Sequence, residues 1–334
     1  MKKIYYITAV FATLFLVGCG DGIDLPGVNV ETDLNKIPLP DNNVNLEQVE
    51  LKPSTEPMLH EGLHTEEDFQ RIRDKKAAGE EPWVSAYQLL VESQFSQKTA
   101  DTYPTEWIKR GISGDENYMN AARGATIVYQ QALRWKIEQD DEYAAKAVEN
   151  LNKWVQTCVG VTGNTNLSLA AGLYGYEFAI AGELLRDYGG WDRADFAAFQ
   201  NWLLKVFYPA NDDFLKRHHD TNALHYWANW CLCNIAAKMA IGIVTDRRDI
   251  YNEGIDHLQT GDTNGRLRRA IYHDYAPDYN FAQWQESGRD QGHTLMCVGL
   301  MGIICQLAWS QGDDFFAYDD NLFMRACEYA ACCN

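Results

Sequence analysis

The sequence predicts an all-α fold, an (α/α) toroid or barrel built of helical hairpins. Apolar residues recur at helical spacing in one segment after another from residue 58 onward. Almost no stretch combines β-branched residues with the strict alternation that is typical of strands. Helices that are apolar nearly all round, such as 223–244 and 294–309, alternate with amphipathic ones such as 141–157. Fully apolar helices beside half-apolar ones predict an inner ring enclosed by an outer ring.

The first residues have the pattern of a lipoprotein signal peptide. Residues 1–19 join a basic start, an apolar core and the tetrapeptide LVGC, which predicts lipidation of Cys19. The apolar stretch is shorter than the roughly 20 residues that a membrane span needs. We therefore expect the protein to contact a membrane only through a lipid anchor. Its expected location is the cell envelope, in the periplasm or at the outer membrane.

A tether and one folded domain are predicted after the signal peptide. Residues 20–57 are rich in Pro, Gly, Asn and Asp without sustained periodicity, which predicts a flexible tether, and residues 58–334 form the domain. Its first helix is predicted to begin after Thr65, which has the position of an N-cap in a capping box. Further helices are predicted at 117–139, 141–157, 167–187, 192–207, 221–243, 246–259, 290–310 and 320–332.

The composition argues against several classes of function. A formal net charge of −18 opposes nonspecific binding to nucleic acid or to an anionic bilayer. The chain has no glycine-rich phosphate loop, no G-x-S-x-G elbow and no H-E-x-x-H metal motif. Most cysteines after Cys19 lie in apolar stretches without disulfide or zinc spacing, and we expect them to be small buried hydrophobes. We expect a monomer with no cofactor and no catalytic metal.

A dense polar cluster, residues 284–293, precedes one apolar helix. Ser287 and Asp290 have the spacing of a capping box, which predicts Ser287 as the N-cap and places Arg289 and His293 on one face of the first turns. Backbone N–H groups and a guanidinium at a helix N-terminus suit a carboxylate ligand. Simple capping with a surface ion pair is the alternative. The apolar helix that follows counts against it, because a surface helix is rarely so apolar.

A second cluster has a similar design. The segment DTNALHYWANW predicts Asp220 or Thr221 as an N-cap, followed by Asn222, His225 and Asn229, before another apolar helix. A lone histidine here would more often be a core residue than a functional one. Between the two clusters, the segment NGRLRRAIYHDYAPDYNFAQWQ combines aromatic rings with Arg, His and Gln. That composition is typical of a carbohydrate subsite, although a tyrosine-rich loop packed over the domain would share it.

Five stretches resemble the alginate-lyase-like polysaccharide lyases of bacteria. They are HEGLHTEEDFQRIRDKKAAGEEPW, LAAGLYGYEFAIAGELLRDY, HYWANWCLCN, QWQESGRDQGHT and FMRACEYAACCN, and they extend over residues 57–334. Members of this family fold as incomplete (α/α) toroids with a long substrate groove, and the resemblance implies the same fold here. Members usually continue past the region that matches EYAACCN. The resemblance therefore implies a chain that stops before the last helices or before a C-terminal sheet domain.

The resemblance also implies a reaction, β-elimination on a 4-linked uronic acid polysaccharide such as alginate or a glucuronan-like polymer. The partner would be this anionic polysaccharide. In such a reaction the carboxylate is neutralised so that the C5 proton becomes acidic, a base removes that proton, and an acid protonates the departing O4 oxygen. The acid implied here is a tyrosine, with Tyr272 as the first choice.

The remaining roles fall on the polar clusters. By the resemblance, Arg289 holds the carboxylate together with Asn222 or Gln285, and His225 or His293 is the base. Substrate contacts are expected from a further set of aromatic and polar residues, namely Tyr174, Tyr176, Tyr226, Trp227, His273, Trp284, Gln285 and Glu286.

The chain departs from the family pattern at two places. The family motif Asn-Asn-His-x-Tyr-Trp is replaced by NALHYW, with Ala223 and Leu224 in its second and third positions. The tyrosine that members place two helical turns after the arginine would fall at Met296. Two other functions stay open. One is an (α/α)-toroid glycoside hydrolase that uses Glu286 and Asp290, and the other is a noncatalytic glycan-binding lipoprotein.

Overall fold

The computed structural model describes residues 55–277 and 279–333. The predicted signal peptide with Cys19, and the tether up to residue 54, lie outside the described residues. The helices are α1 (Glu66–Ala77), α2 (Trp83–Glu92), α3 (Tyr118–Glu138), α4 (Asp141–Thr157), α5 (Leu167–Leu184), α6 (Arg193–Val206), α7 (Tyr208–Arg217), α8 (Ala228–Val244), α9 (Arg248–Thr260), α10 (Leu267–Ala270), α11 (Gln291–Ser310) and α12 (Tyr318–Cys333).

Four short strands accompany the helices, and the sequence did not predict them. Strands β1 (Trp107–Arg110) and β2 (Gly160–Gly163) pair in parallel just before α3 and α5. Strands β3 (Ile271–Asp274) and β4 (Ala282–Trp284) form an antiparallel pair before α11. Each strand pair therefore lies shortly before the start of an inner helix.

The helices form two layers, as the sequence predicts. Helices α3, α5, α8 and α11 pack side by side as an inner layer, and α4, α6, α7, α9 and α12 pack on their outer faces. Nearly every residue of α5 and α8 is buried, because both helices are apolar on all sides. This arrangement of inner and outer helices is an (α/α) toroid. The prediction of an all-α fold with two helical layers is confirmed.

Two sets of hydrogen bonds show that α5 and α8 run parallel. Near their N-terminal ends, Asn234 Nδ2 donates to Ser168 O at 3.2 Å. At their C-terminal ends, Arg186 Nη2 donates to the carbonyls of Ile243 and Val244 at 3.2 and 2.9 Å. The N-termini of these two inner helices therefore lie at the same end of the domain.

The chain before α1 covers the C-terminal ends of the inner helices. The amide of Gln311, just after α11, donates to the carbonyls of Leu59 and Glu61 at 3.0 and 2.8 Å. His60 lies 3.0 Å from Asp246, which follows α8. Because this end of the ring is covered, a groove for a polymer is expected at the opposite end, where the inner helices begin.

Helix α8 starts later than the sequence predicts, and helix α7 was not predicted. α8 begins at Ala228 with Trp227 as N-cap, so the prediction of an N-cap at Asp220 or Thr221 is wrong. Residues 221–227 form a loop instead. The missed helix α7 has a proline in its first turn, where the fixed proline backbone angle favours a helix start and no N–H is needed.

Two sequence predictions about apolar segments are confirmed within the described residues. Cys158, Cys231, Cys233, Cys297 and Cys305 are free and buried, as expected for small hydrophobes. Helix α11 is long and apolar enough to cross a membrane by composition, but it packs against α8 inside the domain. Its apolar composition is therefore explained by a place in the inner layer.

Candidate active site

The N-terminus of α11 carries its own cap. Asp290 is the N-cap, and its Oδ1 accepts a hydrogen bond from the backbone N–H of His293 at 2.8 Å. Its Oδ2 lies 2.6 Å from Nδ1 of the His293 ring. The prediction that Ser287 caps this helix is wrong, because Gln285–Gly288 forms a 3₁₀ turn before it. One carboxylate therefore both starts the helix and orients the histidine.

The N-terminus of α8 is capped by side chains from the 3₁₀ turn Gln285–Gly288. No side chain of its own N-cap residue, Trp227, bonds to α8. Instead, Gln285 Oε1 accepts from Ala228 N at 2.8 Å, and Glu286 Oε1 accepts from Asn229 N at 3.4 Å. The two amides would otherwise be unpaired donors at a helix start. The 3₁₀ turn thus joins the N-termini of two adjacent inner helices.

Arg289 lies at this junction. Its Nη1 is 3.5 Å from Glu286 Oε2, its Nε is 3.7 Å from Asp290 Oδ2, and its guanidinium lies 5.4 Å from the ring centroid of Trp227. The side chain remains 33% exposed. Burial raises the pKa of the Glu286 carboxyl, while Arg289 and the amide of Asn229 act in the opposite direction. The guanidinium is therefore positioned by protein groups and still accessible to a ligand.

The loop before α8 holds the second cluster in a different way. Asn222 and His225 are exposed; Asn222 Oδ1 accepts from Leu224 N at 2.8 Å, and the ring of His225 lies 4.9 Å from that of Tyr226. Among the described residues, no hydrogen bond or ion pair joins Asn222 or His225 to Arg289. The structure therefore brings His293, and not His225, into direct connection with the arginine site.

Sequence reasoning missed His219, which lies between α5 and the loop before α8. His219 Nε2 is 2.9 Å from Ser168 Oγ near the start of α5, and its ring lies 5.7 Å from that of Tyr226. His218, His219 and Asp220 all have positive φ, between 50° and 59°. Such backbone is costly for residues other than glycine and concentrates at functional sites. The adjacent pair of histidines in KRHHD was the available signal.

The β3–β4 pair supplies the aromatic residues. Tyr272 and His273 lie on β3 and are half-buried, and the rings of His273 and Tyr275 are 4.4 Å apart. Tyr275 OH donates to Gln283 Oε1 of β4 at 2.8 Å. Burial, together with Tyr275, raises the pKa of Tyr272 above its usual value. Since β4 runs directly into Gln285, this hairpin adjoins the arginine site.

Several predicted substrate contacts are buried instead. Trp284 is fully buried, and its Nε1 donates to Ala326 O at 3.1 Å. Glu286 is 0% exposed because it caps α8. Tyr176 is buried in the middle of α5, and Tyr174 is buried against Tyr118 at 6.4 Å between ring centroids. These four side chains have little or no surface on which a sugar could lie.

Two other residues that were predicted to contact substrate pack against the loop before α8 and against Arg289. Tyr226 is buried among aromatic rings, with Phe214 at 5.2 Å and Trp230 at 4.7 Å between centroids. Trp227 is half-buried and lies beside the Arg289 guanidinium. Tyr226 therefore fixes the loop before α8, and Trp227 fixes the side chain of Arg289. A ligand contact of Trp227 would be additional to this role.

Sequence and structure comparisons identify the class of protein. The alginate lyase family matches residues 73–332, more than half of the chain, and the chain belongs to that family. The protein is accordingly a polysaccharide lyase. No curated protein matches the chain.

Solved structures of alginate lyases share the fold. Alginate lyase A1-III complexed with tetrasaccharide aligns at a TM-score of 0.61 and 14% identity, over 79% of this chain and 74% of that chain. Alginate lyase A1-III from Sphingomonas species A1 aligns at 0.57 and 13%, over 82% and 78%. An alginate lyase from Bacteroides ovatus aligns at 0.56 and 14%, over 80% and 81%. At these identities the likeness establishes the toroid fold and leaves the residues to be argued individually.

Proposed function

We propose that this polysaccharide lyase cleaves a 4-linked uronic acid polysaccharide, of the alginate or glucuronan type, by β-elimination. The observation that carries the proposal is the convergence of Arg289, His293 and Gln285 where two inner helices begin. With a net charge of −18, the protein as a whole repels a polyanion. A uronate therefore needs a local site of positive charge and N–H donors, which this junction provides.

Arg289 and Gln285 are the groups that we propose for the substrate carboxylate. A guanidinium offers two parallel N–H donors, which match the geometry of a carboxylate. The oxygen of the Gln285 side chain is engaged by Ala228 N, so its remaining polar group is an NH₂ donor. Neutralising the carboxylate stabilises the charge that develops when C5 loses its proton. Asn222 remains the alternative second donor, since its oxygen accepts from Leu224 N and its NH₂ group is likewise the remaining donor.

His293 is the base that we propose, with Asp290 as its positioning residue. The contact of 2.6 Å between Asp290 Oδ2 and Nδ1 orients the ring and stabilises the imidazolium that forms when the ring takes the C5 proton. The C5–H electron pair becomes the C4=C5 double bond, and the C4–O4 bond breaks. His225 is the alternative base, but it lacks a carboxylate partner of this kind among the described residues.

Tyr272 is the acid that we propose for the leaving oxygen. The reaction needs a proton on O4 as the C4–O4 bond breaks. Burial raises the pKa of Tyr272, so its phenol is protonated at neutral pH and able to donate. His273, the next residue on the same strand, is a candidate for a further substrate contact.

The same residues give glycoside hydrolysis little support. A hydrolase needs two carboxyl groups that flank the scissile bond. Glu286 is fully buried as a helix cap, and Asp290 is engaged by the backbone and ring of His293. Glu286 has no exposed surface and both Asp290 oxygens are engaged by His293, whereas elimination uses the arginine and histidine that these two carboxylates position.

A substrate panel tests the proposed function. The protein is incubated with alginate, polymannuronate, polyguluronate and glucuronan, and the ultraviolet absorbance of the unsaturated uronate end is followed. We expect absorbance to rise on at least one polyuronate and to stay flat on the same polymer after reduction of its carboxyl groups. Failure of every polyuronate to give the absorbance would refute the proposal. Product masses then distinguish endo from exo action.

We also propose that the protein is anchored in the cell envelope by a lipid on Cys19. The support is the LVGC tetrapeptide that ends an apolar segment of signal-peptide length. Expression of the full chain in a bacterium, with a labelled fatty acid, should give labelled protein in the membrane fraction. The Cys19→Ala variant should carry no label. Equal labelling of both forms would contradict the proposal.

A further inference from the structure

A second arginine lies where the inner helices begin, and it has no anionic partner in the described part of the chain. Arg110, the last residue of β1, is only 6% exposed. Its Nη1 is buried and makes no hydrogen bond to a described residue, and no described carboxylate forms an ion pair with it. An arginine stays charged at any pH the protein meets. Burying such a charge without a partner is costly, unless an anion completes the site.

Aromatic rings form one side of this site. The guanidinium carbon of Arg110 lies 4.6 Å from the ring centroid of Tyr118, the first residue of α3. The Tyr118 ring stacks on that of Tyr174 in α5, with 12° between the ring planes. A cation–π contact of this kind offsets part of the cost of burial, but it uses the face of the guanidinium and leaves its N–H donors at the edge.

The backbone on the other side of Arg110 is fixed by two close contacts. Gly163 of β2 pairs with Arg110, and a Cβ on this glycine would lie 1.7 Å from Arg110 O. Gly111 has a φ of +79°, and a Cβ there would lie 1.9 Å from Asn164 Oδ1. Glycine is therefore required at both positions. The guanidinium is held on a rigid support, which lowers the cost of ordering it when an anion binds.

We propose that Arg110 binds the carboxylate of a second uronate residue, at a subsite separate from that of Arg289. The inference rests on the proposed function, because only a polyuronate brings a carboxylate with every sugar. β1 and β2 lead into α3 and α5, so a polymer that crosses the starts of the inner helices passes both guanidinium groups. Arg110 is a binding residue in this account and takes no part in proton transfer.

Binding measurements on three variants test the subsite. Arg110→Gln and Arg110→Lys are compared with Lys109→Gln, which removes the same charge from a neighbouring side chain that pairs with Asp115 at 2.7 Å. Affinity for polyuronate and for its carboxyl-reduced form is measured by calorimetry. Arg110→Gln should bind polyuronate at least about tenfold more weakly, because a charge-assisted hydrogen bond is lost. Arg110→Lys should recover only part of this, since an ammonium lacks the planar fork.

The controls separate the subsite from a structural role. Binding of the carboxyl-reduced polymer should not change in any variant, and Lys109→Gln should bind polyuronate within about twofold of wild type. Arg110→Gln removes the contact with Tyr118 but also a buried charge that has no ion-pair partner among the described residues, so its Tm should not fall. A lower Tm with unchanged polyuronate affinity would assign Arg110 a structural role and overturn the subsite. If Arg110→Gln does not fold, unchanged affinity in Arg110→Lys would overturn it equally.

The subsite and the proposed function are refuted by different results. If wild type gives unsaturated products and Arg110→Gln binds polyuronate normally, only the subsite is refuted. If wild type gives no unsaturated product from any polyuronate, the reaction is refuted, and the calorimetric comparison still decides whether Arg110 binds a carboxylate.

Discussion

The N-termini of α8 and α11 look alike in the sequence and differ in the structure. Each is a group of polar residues followed by an apolar inner helix. α11 is capped by Asp290, which lies next to it in the chain. α8 has no such cap, and Gln285 and Glu286, 57 residues further along the chain, accept its first N–H groups. The cap of α11 is thus local in the chain, whereas the cap of α8 depends on tertiary structure.

The difference explains how the site is assembled. Because Gln285 and Glu286 cap α8, the loop before α8 does not need to supply a cap and is not helical. Because Glu286 must be buried to do so, it brings Arg289 to the same point. The capping of one inner helix by the turn before the next therefore positions the arginine that we propose as the carboxylate ligand.

Removal of Arg289 should have the largest effect. We expect Arg289→Ala to lower kcat/KM on polyuronate by at least about 100-fold, because the developing charge loses its main electrostatic partner. The circular dichroism spectrum should stay that of wild type. Arg247→Ala is the matched control, since Arg247 is exposed and, among the described residues, its side chain pairs with the neighbouring Asp249 at 2.5 Å. Equal activity in the two variants would place the carboxylate site elsewhere.

The cap from a distant residue should matter more for stability than the local cap. Glu286→Ala leaves Asn229 N without an acceptor and Arg289 without a buried partner, and we expect a loss of about 2–3 kcal/mol in the free energy of unfolding. Glu286→Gln keeps an acceptor oxygen and should lose less. Urea denaturation measures both. If both variants unfold like wild type, α8 does not depend on this cap.

Substitutions of Asp290, the local cap of α11, should affect stability and catalytic activity differently. Asn is as good an N-cap as Asp, so Asp290→Asn should keep the free energy of unfolding within about 0.5 kcal/mol, whereas Asp290→Ala should lose about 1 kcal/mol. Both variants remove the carboxylate that orients His293, so both should lower kcat. An Asp290→Asn variant with normal kcat would show that His293 needs no carboxylate partner.

The two caps should respond to pH in opposite directions, which is the smallest of the expected effects. Burial raises the pKa of Glu286 above its ordinary value of 4.5, so its contribution to stability is full below that pH and is lost as pH rises. Burial also acts on Asp290, but hydrogen bonds from the backbone and ring of His293 outweigh it and lower its pKa. The Asp290 contribution is therefore full above its ordinary value of 3.8 and is lost as pH falls.

Denaturation curves measured from acidic to neutral pH check these signs. Relative to wild type, Glu286→Gln should gain stability as pH rises. The small difference in the free energy of unfolding between Asp290→Asn and wild type should disappear as pH falls through the titration of Asp290. Curves that run parallel to wild type in both variants would contradict the assignment of the two carboxylates.

Much of the fold was predictable because most helix signals are local. Helix α4 was predicted with the bounds that the structure has, and α11 to within one residue. The start of α8 was not predictable, because its capping oxygens come from Gln285 and Glu286. The parallel pairing of β1 and β2 was also missed, since four-residue strands show no periodicity and pairing between residues 53 apart in the chain leaves no local signal.

The candidate site was predicted in part. The group of Arg289, His293 and Gln285 lies within nine residues of one turn and helix start, so their proximity follows from the sequence alone. The burial of Glu286 and Trp284 was not predictable, because it depends on α8 and α12 packing against them. Arg110 and His219 were missed for the same reason: their partners, Tyr118 and Ser168, belong to other elements.

The masses of the products test the central claim most directly. Polyuronate is incubated with wild type and with Arg289→Ala, and the oligosaccharides are analysed by mass spectrometry. Elimination leaves an unsaturated residue at each newly formed non-reducing end, so every fragment with such an end lacks one water relative to the corresponding hydrolysis product. We predict such fragments from wild type and almost none from Arg289→Ala. Wild-type products that are all of hydrated mass, or the same yield of unsaturated fragments from the variant, would contradict the proposal that elimination occurs where α8 and α11 begin.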